Sequence, residues 1–308
     1  MTNQDRIAII GAGHVGSTTA YALMLRALFR EIVLIDRTDA LAAAEAADIS
    51  DANALARPTR IWAGDYSDAA SAHIAVVTAG AATHGDESRL SVAKRSAAIV
   101  ELCIAKLMDA GFDGVLLIAA NPVDLMAQLA NARSGLPATR VLGTGTLLDT
   151  NRLKQAIAVR LGVAAAAVDA VVLGEHGDSE VAAFSQVRIG GVALAHFLDG
   201  RNFDHAAIAD EVRTAGYRII AGKGSTSFGV ATAIVRICEA IIRDEHAVLP
   251  VSTLLTGQYG LDDVYLSLPC IIGAAGVERV VPPELSDGEV TALQASGRSL
   301  QAARLDAG

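Results

Sequence analysis

The segment GEHGDSE at residues 174–180 places His176 in a glycine-flanked, polar turn after the apolar run VDAVVL. Histidine suits proton transfer because its unperturbed pKa lies near neutrality. A lone histidine is more often structural or solvated, so its partners decide the reading. The segment LLDTNRL (147–153) sets Asp149 and Arg152 three residues apart at a predicted helix start, on one face. A carboxylate there can fix a histidine tautomer and stabilise the imidazolium; it can equally cap the helix, and the two roles are compatible. In AANPVD (119–124), Asn121 stands just past an apolar strand, on the side where open α/β sheets bind ligands. The competing reading there is a plain Asn-Pro turn. The polar, glycine-bearing segment GAATHGDESRL (80–90) ends near Arg89 and reads either as a lid or as a mobile surface loop carrying a solvated arginine.

A second group of residues points to a dinucleotide. Gly11, Gly13 and Gly16 form GxGxxG after the apolar run RIAII and at the start of a helical pattern. The first glycine permits a tight turn, the second lets backbone approach a pyrophosphate, and the third allows helix and strand to pack closely. The helix N-terminus offers free N–H groups and a positive dipole end to the phosphates. His14 and Val15 lie in the same turn. Asp36 ends the next apolar run, EIVLID, 20 residues after Gly16. An acid there accepts hydrogen bonds from an adenosine ribose and repels a 2′-phosphate, which favours NAD over NADP. Arg37 beside it reads as a solvated surface charge.

The elements that must position these residues fall into two halves. Apolar runs at 6–10, 31–36, 60–63, 74–78, 114–119 and 140–142 alternate with helical patterns such as Val100, Cys103, Ile104, Leu107 and Met108. Strand alternating with helix predicts a doubly wound parallel sheet covered on both faces. After about residue 145 the pattern becomes α+β with antiparallel strands. Helices are predicted at 149–161, 204–222, 226–246 and from 286. Strands are predicted at 168–173, 184–189, 192–195, 251–255, 264–272 and 277–281. Gly190-Gly191 suggests a hairpin. The short GTGT segment marks a boundary, giving a NAD-binding domain at 1–145 and a substrate domain at 146–308.

Composition excludes several classes. The 308 residues carry a formal net charge of -9, which argues against a general nucleic-acid or anionic-membrane surface. No apolar stretch reaches the ~20 residues of a spanning helix. Cys103, Cys238 and Cys270 show no metal-ligand spacing and sit in apolar runs, so they read as core residues and no metal site is expected. A reducing compartment and a cytoplasmic location follow as expectations.

Taken in order, GAGHVG, LIDR, TAGA, ESRL, ANPVD, GTGTLLDTNRL, GEHGDS, KGSTSFG and LPVSTLLTGQYGLDDVYLSLPCIIG make the chain resemble the L-lactate/malate dehydrogenase family over nearly its whole length. The wording is closer to the lactate branch. The resemblance implies NAD-dependent oxidation of a small L-2-hydroxy acid and a homodimer or homotetramer. It implies that His176 exchanges the hydroxyl proton, that Asp149 orients His176, and that Arg152 grips the substrate carboxylate. It further implies that Arg89 polarises the C2 carbonyl, that Asn121 bonds near nicotinamide and substrate oxygen, and that Thr226 lines the pocket.

Three departures from the family pattern matter. Where lactate enzymes usually carry glutamine and malate enzymes arginine, this chain has Thr83. Malate is therefore disfavoured, with His84 the one neighbour able to substitute in part. Gly216 stands where lactate enzymes usually have alanine, and with Thr83 it predicts room for a 2-oxo acid larger than pyruvate. Lys154 and Asp169 occupy the positions of the usual arginine and histidine of the fructose-1,6-bisphosphate site, and Asp169 would repel a phosphate. No such activation is expected. The competing readings are a malate dehydrogenase and a non-catalytic NAD-binding homologue.

Overall fold

The computed structural model describes residues 3–56, 58–81 and 89–304, with the backbone alone of residues 3, 4 and 89–91. The first half runs β1 (Asn3–Ile10), α1 (His14–Arg26), β2 (Glu31–Ile35), α2 (Asp39–Asn53), β3 (Arg60–Ala63), α3 (Tyr66–Ala69) and β4 (Ala72–Val77). It continues with α4 (Arg89–Asp109), β5 (Val115–Ile118), α5 (Val123–Ser134) and β6 (Val141–Gly143). The strands of this half pair in parallel in the order β3-β2-β1-β4-β5-β6, the doubly wound arrangement. Their near-continuous apolar runs are explained by burial on both faces: β4 and β5 are almost wholly buried. The order reverses between β1 and β4, and ligands bind at such switch points beyond the carboxyl ends of the strands.

The second half runs α6 (Leu147–Leu161), β7 (Val168–Asp169), β8 (Val172–Leu173), β9 (Val181–Ala182), β10 (Arg188–Ile189), β11 (Val192–Ala193) and α7 (Leu194–Leu198). It ends with α8 (His205–Lys223), α9 (Phe228–Ile242), β12 (Ala247–Thr256), β13 (Asp262–Gly273), β14 (Gly276–Val280) and α10 (Asp287–Ala302). The antiparallel β12, β13 and β14 do not form a sheet of their own. They extend the parallel sheet through a β6–β12 pairing at Gly143 and Ser252, giving nine strands in one sheet. A Cβ at Gly143 would stand 3.0 Å from the Ser252 Cβ, so the bare glycine lets β12 close in.

Three predicted elements are corrected. The single strand expected at 168–173 is two: β7 pairs with β10, whereas β8 pairs with β9. The chain changes sheets between them. The strand expected at 184–189 opens as a 3-10 turn, Phe184–Gln186, in which the Phe184 ring stacks on His205 at 4.3 Å. The helix expected at 226–246 ends at Ile242; Asp244 and His246 then take left-handed backbone (φ 50 and 51). The Gly190-Gly191 hairpin forms as expected, between β10 and β11.

Candidate active site

The turn between β1 and α1 is shaped by close contacts that only glycine allows. Gly11 has φ +108, and a Cβ on Gly16 would lie 1.8 Å from the Gly11 carbonyl oxygen. Thr78, at the end of β4, donates its hydroxyl to the Gly11 carbonyl at 2.8 Å and so braces the turn from the next strand. A Cβ on Gly13, by contrast, would meet nothing within 4 Å. Among the described residues, no side chain caps the N-terminus of α1, where Gly13 is the N-cap. His14 is exposed and Val15 half-buried on the first turn. Asp36 accepts the Ala12 N–H at 2.8 Å on one oxygen and the Thr38 N–H at 2.9 Å on the other. Each oxygen keeps a lone pair for a further donor. Bare backbone at a helix N-terminus beside an acid fits a dinucleotide: pyrophosphate at the glycines, ribose at Asp36.

The second cluster is assembled at the start of α6. Thr146 donates its hydroxyl to the Val172 carbonyl at 2.6 Å, and the Val172 N–H donates to Thr150 at 2.9 Å. These bonds clamp β8 across the first turn of α6. The chain leaving β8 is held again where Gly174 exchanges backbone hydrogen bonds with Ser267 of β13 at 3.0 and 3.1 Å. His176 therefore emerges above Asp149. Its Nδ1 lies 2.5 Å from Asp149 Oδ2, while Arg152 donates to Asp149 Oδ1 at 2.8 Å. Asp149 is almost fully buried, and the His176 side chain keeps 26% of its exposure. On the far side of the loop, Ser296 of α10 accepts the Glu175 N–H at 2.9 Å and meets the Ser179 hydroxyl at 2.9 Å.

Electrostatics follow from this packing. Burial works against charge on His176, but the carboxylate of Asp149, aided by Asp124 and Glu180, overrides it and pushes the imidazole up to about 9. Burial likewise opposes ionisation of Asp149, yet His176 and Arg152 hold its carboxyl below the usual range. Burial and then the Asp149 charge push Glu180 up to about 8. Arg152 spends one nitrogen on Asp149, and the rest of its guanidinium can form two parallel bonds to a carboxylate. His176 Nε2 is the ring nitrogen left for a reacting oxygen.

The structure thus brings His176, Asp149 and Arg152 into direct contact. Asn121 is exposed just beyond β5, two residues before α5. Thr226 sits half-buried in the turn between α8 and α9. Arg89 opens α4, and Thr83 and His84 lie outside the described residues. Sequence reasoning missed Thr78, Ser296, the buried acid Asp124 and the half-buried Glu180. The available signal was an acid inside the otherwise apolar start of α5, since a buried carboxylate needs partners.

Comparison with known proteins decides the family. The lactate/malate dehydrogenase NAD binding domain matches residues 5–143, and the lactate/malate dehydrogenase alpha/beta C-terminal domain matches residues 146–306. The chain belongs to the lactate/malate dehydrogenase family. That makes it an NAD-dependent oxidoreductase of the lactate dehydrogenase type. It is 41% identical to L-lactate dehydrogenase of Priestia megaterium over 303 residues, covering 97% of this chain and 95% of that one. It is 40% identical to L-lactate dehydrogenase 1 of Lactococcus lactis subsp. cremoris, covering 97% and 93%. Among solved structures, minor L-lactate dehydrogenase from Enterococcus mundtii in its ligands-bound form superposes with a TM-score of 0.95 at 36% identity, covering 98% of each chain. The ligands-unbound form of the same enzyme gives 0.89 at 34% identity, covering 99% of this chain and 97% of that one.

Proposed function

We propose that this lactate dehydrogenase-type enzyme interconverts an L-2-hydroxy acid and its 2-oxo acid, with His176 as the acid–base group. The observation that carries the reading is the buried Asp149 holding His176 Nδ1 at 2.5 Å and Arg152 at 2.8 Å. Gly11, Gly13, His14, Val15, Gly16 and Asp36 hold NAD, which when bound supplies or accepts the hydride. In reduction, Arg152 binds the substrate carboxylate, and Arg89 and protonated His176 meet the negative charge growing on the C2 oxygen. His176 then gives that oxygen its proton from Nε2. Donors fixed in advance of such charge are worth about 3–4 kcal/mol each. In oxidation, neutral His176 takes the hydroxyl proton, and Asp149 stabilises the imidazolium. Asn121 and Thr226 complete the pocket. Replacing His176 with Asn tests the assignment: turnover should fall about 10²–10⁴-fold while NADH binding persists. Turnover near the original rate would sink it.

Substrate size rests on Thr83 and Gly216. Gly216 is on α8 beside Tyr217, whose hydroxyl reaches Asp178 of the catalytic loop at 2.8 Å. A Cβ at Gly216 would meet nothing within 4 Å. With Thr83, this open position supports a pocket that takes 2-oxo acids with a C3 substituent larger than that of pyruvate. NADH consumption with pyruvate, oxaloacetate, 2-oxobutyrate, 2-oxoisocaproate and phenylpyruvate tests this. Fast turnover of pyruvate with uniform rejection of the bulkier acids would refute the size argument. Asp169 on β7 is exposed, in keeping with insensitivity to fructose-1,6-bisphosphate, which a bisphosphate titration checks. Exposed Tyr21 and Leu25 on α1, Ile219 and Ile220 on α8, and Phe228 at the start of α9 support a homodimer or homotetramer, to be weighed by light scattering. Three free, buried cysteines accord with a reducing cytoplasm. No described helix is long and apolar enough to cross a membrane.

A further inference from the structure

The turn that joins α9 to β12 alternates in where it sends its charged side chains. Glu245 reaches back to α9, where Arg236 meets it at 2.6 Å. Asp244 and His246, on either side of it, gather instead with Glu278 of β14, the edge strand of the large sheet. All three are exposed, and one donor atom from each lies within 4.8 Å of the others. The two carboxylates close over a bare glycine. A Cβ on Gly273, at the end of β13, would stand 2.3 Å from Glu278 Oε1 and 3.0 Å from Asp244 Oδ1. Among the described residues, His246 is the basic side chain that both acids meet, and no lysine or arginine pairs with either.

The distances sort the donors into two roles. His246 Nδ1 lies 2.9 Å from Glu278 Oε2, a hydrogen bond that places the ring proton on Nδ1 and leaves a lone pair on Nε2. Nε2 is 3.7 Å from Asp244 Oδ2, beyond hydrogen-bond reach. Asp244 Oδ1 accepts the Ala274 N–H at 2.7 Å, which fixes the carboxylate and leaves Oδ2 for another partner. A zinc ion with bonds of about 2.1 Å holds neighbouring tetrahedral ligands about 3.4 Å apart. The gap between Nε2 and Oδ2 is thus too wide for a shared proton and close to the bite of a metal. A carboxylate on the far nitrogen of a ligand histidine orients the ring and makes it more basic, the place that Glu278 occupies.

We propose that His246 Nε2 and Asp244 Oδ2 bind a first-row divalent cation of the zinc type, with Glu278 positioning the ring and water completing the coordination. An imidazole suits zinc, nickel or copper, whereas magnesium takes oxygen ligands in a near-ideal octahedron. A dication also balances two carboxylates, which a neutral imidazole does not. Bound there, it locks the turn after α9 in the conformation that grips the edge strand through Glu278, and it stabilises the folded chain by mass action. Cysteine spacing could not announce such a site, because Glu278 joins His246 from 32 positions away. The site lies apart from the residues assigned to NAD and the 2-hydroxy acid, and it stands independently of that reading.

The test is a calorimetric titration of tag-free, chelator-treated protein with zinc chloride, alongside two variants. His246→Asn removes the metal donor, and asparagine tolerates the left-handed backbone at this position (φ 51). Glu278→Gln keeps an acceptor for Nδ1 but drops the charge. We expect saturable one-to-one binding by the parent, its loss in His246→Asn, and an affinity about 10–100-fold lower in Glu278→Gln. Zinc well above its dissociation constant should raise the melting temperature of the parent by a few degrees and leave that of His246→Asn in place. Magnesium should do neither. Glu278→Gln answers by itself if His246→Asn fails to fold. No saturable zinc binding by the parent, the same affinity in the parent and either variant, or an equal response to magnesium would overturn the proposal.

Discussion

The turn after β1 and the loop after β8 each follow a buried strand and each lean on an acid, yet they are made differently. In the first, Asp36 is half-buried and holds main-chain N–H groups of Ala12 and Thr38, and the surface left for a ligand is backbone. In the second, Asp149 is almost fully buried and holds two cationic side chains. A pyrophosphate is a fixed anion that changes little during the reaction, so preset N–H groups suffice for it. In the proposed reaction the C2 oxygen gains charge and a proton, so the end that meets it needs a group that titrates. Burial there serves a purpose: it removes the water that would otherwise weaken the pair.

The contrast breaks most sharply at Asp149. In Asp149→Asn the ring keeps its place but loses the charge that holds its proton, and turnover should fall about 10³–10⁴-fold, as when the acid of a hydrolase triad is neutralised. With that charge gone, burial dominates, and the pH limb of reduction should shift downward. If His176 is the acid–base group as proposed, reduction by the parent protein should fade as pH rises through about 9, whereas oxidation should rise through the same point. Stability carries the same sign. His176 has a raised pKa, so its contribution is complete below about 6.5 and is lost as pH climbs through about 9. Asp149, with a lowered pKa, contributes above its unfolded value near 4 and loses this as pH falls through its folded value. A thermal-melt series from pH 4 to 10, compared with His176→Asn, reads out the alkaline loss; an identical alkaline slope in both proteins would contradict it.

The cofactor turn should respond in another way. Gly16→Ala puts a methyl 1.8 Å from a carbonyl oxygen and should cost about 1–3 kcal/mol or more of stability along with NADH binding. Gly13→Ala meets no protein atom within 4 Å, so its melting temperature should hold while NADH affinity drops. Equal losses in both properties for the two variants would show that the turn is not divided into packing and ligand faces. Ser296→Ala should have the smallest effect. It removes the acceptor of the Glu175 N–H and should cost about 1 kcal/mol, with a few-fold lower kcat.

The two regions also differed in how much of them the sequence disclosed. Gly11, Gly13, Gly16 and Asp36 were legible because all act within one strand–helix–strand unit, where spacing stands in for distance. His176 and Asp149 were legible as chemistry, though their meeting, 27 residues apart, needed the clamp that Thr146 and Thr150 place on β8. Asp124 escaped notice because a carboxylate in a helix's first turn has a sufficient local explanation as a dipole partner. Its real partners, the His176 N–H and the Ser252 hydroxyl, come from 52 and 128 residues away. The alternation of strand and helix was plain in the first half. That β12 joins β6 was not, because hydrophobic patterning marks a strand and its faces but not its neighbour.

That single sheet bears on how the chain can be divided. The GTGT segment is where the two family descriptions meet, but the hydrogen-bond ladder crosses it. A fragment ending at residue 145 would leave β6 without β12 beside it, an open edge that invites pairing between molecules. The complementary fragment would hold the antiparallel β12, β13 and β14 cut away from the support of β6. Exchange of parts between relatives should therefore succeed at the loops beyond the carboxyl ends of the strands, and should fail, as aggregation, at the seam between the halves.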